Sequence, residues 1–101
     1  MTDLSNIVLL RARVGKDAAL SEALGEALAE LVTQTRQEPG CAVCELNQSS
    51  DDPNTWMVYE RWRGQAAFDS HMQQSYVARF LARLDELTSE PAEVRPFQHR
   101  G

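Results

Sequence analysis

Residues 41–63 read CAVCELNQSSDDPNTWMVYERWR, and this stretch decides the fold. Cys41 to Gln48 has the composition of a strand. Ser49 to Thr55 is a polar turn built on Asp51-Asp52-Pro53-Asn54, and Trp56 to Arg63 is a second strand rich in aromatic residues. Two such runs joined by Asp, Pro and Asn make a β-hairpin. On the second strand the period of two puts Trp56, Val58, Glu60 and Trp62 on one face, and Met57 and Tyr59 on the other. One of these faces meets helices and the other meets a second copy of the chain; the alternation leaves open which is which.

Working outward, Pro39-Gly40 is a breaker pair that ends a helix running from Ala18 to about Gln37. Leu20, Leu24, Leu28 and Leu31 recur at helical spacing, Ala27 and Val32 widen the stripe, and Glu22, Glu26 and Glu30 line the outer side. Gly15-Lys16-Asp17 is a turn and helix start. Before it, Ile7 to Val14 reads as a strand whose first four residues are all apolar. Downstream, Gly64-Gln65 opens a short helix with Ala67, Phe68, His71 and Met72 on one side. Gln73-Gln74-Ser75 breaks it, and a second helix carries Val77, Phe80, Leu81, Leu84 and Leu87 on one face. Val94 to Gln98 is a last strand that Pro96 confines to a sheet edge. The order β-α-β-β-α-β is the ferredoxin-like arrangement of the α+β class, expected here as a single domain over 1–101. Its helices cover one sheet face. A first strand apolar on both sides needs cover on both, so the other face is expected to pack on a second copy, giving a homodimer. The polar, proline-rich tail from Pro91 to Gly101 is expected on the partner subunit.

A chain of 101 residues is marginal on burial alone, which also favours association. A net charge of −5 with the acids spread along the chain opposes a nucleic-acid partner and docking on anionic membrane. No apolar run approaches the roughly 20 residues of a membrane span. Met1-Thr2-Asp3-Leu4 lacks the basic and apolar regions of a signal peptide, so the expected location is the cytoplasm. Cys41 and Cys44 spell C-x-x-C, which invites a redox or zinc reading. Zinc needs about four ligands, and His71 and His99 lie far apart in sequence. On a regular strand the two cysteines point to opposite faces and serve as small apolar side chains.

With these residues in view, the chain resembles the antibiotic biosynthesis monooxygenase family, the cofactor-independent quinol-type oxygenases. The resemblance rests on Glu38-Pro39-Gly40-Cys41, Glu45-Leu46, Asp51-Asp52-Pro53-Asn54, Tyr59-Glu60-Arg61-Trp62 and Ala67-Phe68-Asp69-Ser70-His71-Met72. It implies a dimeric α+β barrel with a ligand cavity between sheet and helices. It also implies oxygenation of a small aromatic substrate with dioxygen and no cofactor. The family's haem-degrading branch looks to need a first-strand asparagine and an iron-binding histidine, where the alignment sets Val8 and Leu81. Leu81 cannot bind iron. Many quinol-type members have a second histidine where this chain has Tyr76, and an aromatic where it has Cys44.

Two readings of His71 follow. It is a core histidine with one satisfied ring nitrogen, or it is a catalytic base, since imidazole titrates nearest to working pH. Dioxygen reacts poorly with closed-shell molecules, but a phenol deprotonated to an electron-rich phenolate can supply the electrons itself. Trp62, Tyr76, Tyr59, Phe68 and Glu60 are the expected substrate contacts. Glu60 lies between apolar neighbours and needs a partner, expected to be an arginine across the dimer. Neither a Gly-x-Gly-x-x-Gly motif nor a metal-ligand cluster appears in the sequence, and no cofactor is expected. The alternatives to a monooxygenase are an isomerase or processing enzyme for a small oxygenated metabolite, and a non-catalytic small-molecule-binding dimer.

Overall fold

A computed structural model describes residues 3–14 and 19–101. Its elements run β1 (Leu4–Arg11), α1 (Ala19–Thr35), β2 (Cys41–Gln48), β3 (Thr55–Trp62), α2 (Gln65–Met72), α3 (Ser75–Leu87) and β4 (Glu93–Gln98). The four strands form one antiparallel sheet in the order β2-β3-β1-β4. This is the ferredoxin-like β-α-β-β-α-β fold, with the second helical segment in two pieces. The helix start read at Gly15-Lys16-Asp17 lies outside the described residues. Among those described, no helix is long and apolar enough to cross a membrane.

The β2–β3 hairpin turn holds itself. Asp52 accepts from the Asn54 amide at 3.0 Å and from the Thr55 hydroxyl at 2.8 Å, the side-chain mimicry of a turn that Asp favours. These two bonds hold the Asp52 carboxyl below its usual range. β1 begins and ends earlier than its apolar run suggests. Its partner dictates the span: Leu4 faces Trp62, and Arg11 faces Thr55, where β3 starts.

The pairing register decides the faces. Leu10, Val58 and Cys44 are buried against Leu24, Leu28 and Val32 of α1, so the face carrying Trp56, Val58, Glu60 and Trp62 is the one under the helices. Burying a leucine such as Leu24 or Leu28 fully contributes about 1.5–3 kcal/mol, and these two are 0% and 1% exposed. A bulge changes the cysteines. Cys41 pairs with Trp62 and Cys44 with Glu60, with a register shift between Cys41 and Val43. The extra residue brings Cys41 and Cys44 to the same inner face, where a regular strand sets them on opposite faces. Burial and the nearby Glu60 push the Cys44 thiol up to about 12, the reverse of what a reactive thiolate needs.

The α3 face agrees with its helical spacing: Val77, Phe80, Leu81 and Leu84 line one seam between helix and sheet, with Leu81, 47% exposed, at the rim. The tail, expected on the partner subunit, is placed on its own chain. The segment Glu93–Gln98 adds to β1 of its own chain as an edge strand, with Pro96 opposite Asn6; an edge position tolerates the missing N–H. The outer sheet face carries the half-buried Ile7, Leu9, Met57 and Tyr59, and half-exposed Phe97 beside them.

Candidate functional site

A cavity of about 130 Å³ lies between the sheet and the helices. Apolar side chains from β1, β3, α1 and α3 make most of its wall, among them Val8, Val58, Leu28 and Phe80, and its two polar contributors are Glu60 and His71. Met72, Leu81 and Val94 also line it and are 42%, 47% and 52% exposed, so they form its mouth. An engineered apolar cavity of about 150 Å³ accepts benzene. This one has the size of a single aromatic ring.

His71 is held from three sides. Gly64, with φ 95, turns the chain into α2, a left-handed conformation that glycine adopts without strain. At Gly40 a Cβ would come within 2.4 Å of Ala67 Cβ, so glycine lets α2 close against the turn that carries Glu38. Across that contact His71 Nδ1 meets Glu38 Oε2 at 2.6 Å, with the two side chains 7% and 13% exposed. Behind the imidazole lies Trp62, with ring centroids 4.5 Å apart and planes inclined by 38°. Phe68 sits 6.2 Å from both rings.

Tyr76 completes the cluster. Its hydroxyl donates to the same Glu38 oxygen and lies 3.3 Å from Thr35 Oγ1. Burial, and then the donation to Glu38, push the Tyr76 phenol well above its ordinary value, so it remains a donor. A carboxylate has no proton to give. In the neutral imidazole, Nδ1 therefore carries the hydrogen of the Glu38 contact and Nε2 keeps the lone pair, a tautomer assigned from the partners. Nε2 makes no hydrogen bond to the described residues, and His71 lines the cavity.

Glu60 is 6% exposed and accepts from Asn6 Nδ2 at 3.0 Å. Its partner is thus an amide one strand away in the same chain, not an arginine from another copy, because Glu60 faces the helices. Arg61, next in sequence, turns to the other face and meets Asp3 at 3.6 Å.

The expected site residues separate into four groups. His71, Glu60 and Phe68 line the cavity. Trp62 is 0% exposed and stands behind His71, off the wall. Tyr76 touches the Glu38–His71 pair from a neighbouring groove of about 180 Å³, which it shares with Arg79, Arg83 and Glu30. Tyr59 lies on the outer face with Met57 and is not brought to the cavity, because the period of two separates it from Glu60. Gln48 donates to the Pro53 carbonyl at 2.9 Å and belongs to the hairpin turn. Two residues escaped the sequence reading. Asn6 is on the inner face of β1 by the same alternation as Val8 and Leu10, so its signal was present. Glu38 sits in a helix-ending turn, where nothing local reveals that a residue 33 positions away will meet it.

Comparison with known proteins agrees with this architecture. The model of the family described as "Antibiotic biosynthesis monooxygenase" matches residues 6–83. An uncharacterised protein of Synechocystis, sll1783, is 30% identical over 67 residues, which are 66% of this chain and 46% of that protein, so the match spans less than half of the relative. Rv0793 of Mycobacterium tuberculosis, described as a candidate monooxygenase, is 32% identical over 72 residues, 71% of this chain and 70% of that one. Its solved structure superposes with a TM-score of 0.88 at 25% identity, covering 98% of this chain and 96% of that chain. The structure of PA3566 from Pseudomonas aeruginosa gives a TM-score of 0.90 at 27% identity, over 100% and 97% of the two chains.

Proposed function

The chain belongs to the antibiotic biosynthesis monooxygenase family, and from that premise we propose that it is a cofactor-independent monooxygenase acting on a small quinol or polyphenol. The observation that carries the reading is the Glu38–His71 contact of 2.6 Å at a ring-sized apolar cavity. Glu38, held in turn by Tyr76, accepts the Nδ1 hydrogen bond and leaves Nε2 as the accepting nitrogen of this cavity-lining ring. A phenol hydroxyl placed against Nε2 gives its proton to His71, and the Glu38 carboxylate stabilises the imidazolium that forms. The phenolate then donates electrons to dioxygen. With a hydroquinone as substrate, one molecule of it and one of dioxygen give one hydroxyquinone and one water. One oxygen atom forms a bond to a ring carbon, and the other leaves as water once the O–O bond breaks. All four electrons that reduce dioxygen come from the substrate. Trp62 and Phe68 keep the imidazole in place, and the apolar wall keeps water from the anion.

Oxygen uptake with a panel of hydroquinones tests this. His71→Ala is expected to lower the rate by about 10²–10⁴-fold. Uptake that survives the substitution removes His71 as the base. The homodimer belongs to the same proposal, with the outer face of Ile7, Leu9, Met57 and Tyr59 as the contact; sedimentation as a monomer at micromolar concentration contradicts it.

A further inference from the structure

We propose that Glu60 reads a second hydroxyl group, so that the site selects a dihydroxylated ring over a monohydroxylated one; this rests on the His71 reading above. Glu60 is buried among Val8, Leu10 and Val58. Asn6, itself 2% exposed, satisfies Oε1, while Oε2 has no hydrogen-bond partner among the described residues. A carboxylate offers about four acceptor positions, and Oε2 is not among the enclosed unpaired polar atoms of the described residues, which are Arg61 Nε and Trp62 Nε1, so it keeps an open approach. β1 closes one flank with Asn6 and β2 closes the other with Cys44. The direction that remains is the cavity.

The cavity therefore presents two acceptors, Glu60 Oε2 and His71 Nε2, on an otherwise apolar wall. A ligand that satisfies both brings two donors on one small ring. Their separation follows the strand. Glu60 and Trp62 are two residues apart on one face, about 6.6 Å along β3, and His71 lies over Trp62. An offset of one such step keeps the two acceptors from meeting the same hydroxyl, so a ligand that satisfies both brings two separate hydroxyls. A site built to bond a hydroxyl discriminates strongly against an analogue lacking it.

The test compares hydroquinone with 4-fluorophenol, which matches its shape but lacks the second donor. Dissociation constants are measured by anaerobic titration calorimetry on the intact protein, alongside oxygen uptake. Wild type is expected to favour hydroquinone by about tenfold or more. In Glu60→Gln, Asn6 still donates to the side-chain oxygen and the amide N–H₂ turns to the cavity, so discrimination falls to about threefold or less. Equal binding by wild type, discrimination that persists in Glu60→Gln, or binding of neither ring overturns the inference. The wild-type comparison stands even if the variant fails to fold. Discrimination without His71-dependent uptake sinks the oxygenase reading alone; His71-dependent uptake without discrimination sinks the role of Glu60 alone.

Discussion

Trp56 and Trp62 stand on the same face of the same strand, six residues apart, and do different work. The Trp56 indole N–H donates to Ser21 Oγ at 3.2 Å, and Ser21 donates to the Pro53 carbonyl at 2.6 Å. That tryptophan ties the hairpin to α1. Its ring also explains Gly25, where a Cβ would lie 2.6 Å from the indole. Trp62 is fully buried, its N–H has no partner among the described residues, and it lies against an imidazole. The strand treats the two alike. What differs is the helix overhead: α1 brings a serine and a glycine to one end, and α2 brings His71 to the other.

The largest expected effect breaks the comparison by truncation. Trp62→Ala removes a ring that is 0% exposed and should cost about 3–5 kcal/mol. Trp56→Ala removes a half-buried ring and should cost distinctly less. Urea unfolding of both variants measures it. Equal losses mean that Trp62 supports no more of the structure than Trp56 does.

How much of this was legible follows from the same pair. The hairpin, its Asp-Asp-Pro-Asn turn and the helical stripe of Leu24, Leu28 and Leu31 were readable because each depends on neighbours along the chain. The period of two placed Trp56 and Trp62 together but not the helices above them. His71 was readable as a histidine on an apolar helix face. Glu38 was not, because its meeting with His71 depends on Gly40 letting α2 close on the turn. The cysteine faces differ from those of a regular strand for a related reason: one inserted residue at Ala42 changes the register, and no residue type there announces it.

The second effect sharpens the comparison through the partners. Glu38→Gln replaces the carboxylate that fixes His71 and should lower oxygenation by about 10–10²-fold, the usual scale for a residue that orients a functional histidine. Ser21→Ala removes the corresponding partner of Trp56 and should leave the rate within about twofold while costing stability, as expected for a lost hydrogen bond away from the cavity. Conservative rescue separates chemistry from packing: Glu38→Asp should recover part of the rate, and Glu38→Gln should keep its melting temperature near wild type. If Glu38→Gln and Ser21→Ala lose rate equally, the polar cluster at the Trp62 end has no special standing.

A smaller effect isolates the hydrogen bond. Trp56→Phe deletes the donation to Ser21 and should cost about 1 kcal/mol from that bond, beyond the loss of ring area. In the double variant with Ser21→Ala the two losses should not add. Trp62→Phe deletes no hydrogen bond, since Nε1 has no partner among the described residues, and it relieves a buried unsatisfied donor. A double-mutant cycle that is additive at Trp56 contradicts the assignment of Ser21 as its partner.

The last effect is nil at neutral pH and sets the two ends apart only in alkali. Cys44 lies beside Glu60, toward the Trp62 end of the sheet. Burial raises its thiol from 9.0 to about 12. A raised folded-state value means the folded chain holds its proton longer than the unfolded chain does. The contribution is therefore complete below about pH 9 and is lost progressively as the pH rises from 9 toward 12. Tyr76, also raised, adds a loss of the same sign that begins above its ordinary value of 10. Urea midpoints taken at steps from about pH 7 to about pH 11 should stay level and then fall, and Cys44→Val should flatten the first part of the fall. A fall that begins below about pH 8, or one that Cys44→Val leaves unchanged, places the sensitive group elsewhere and removes the alkaline distinction between the two ends of β3.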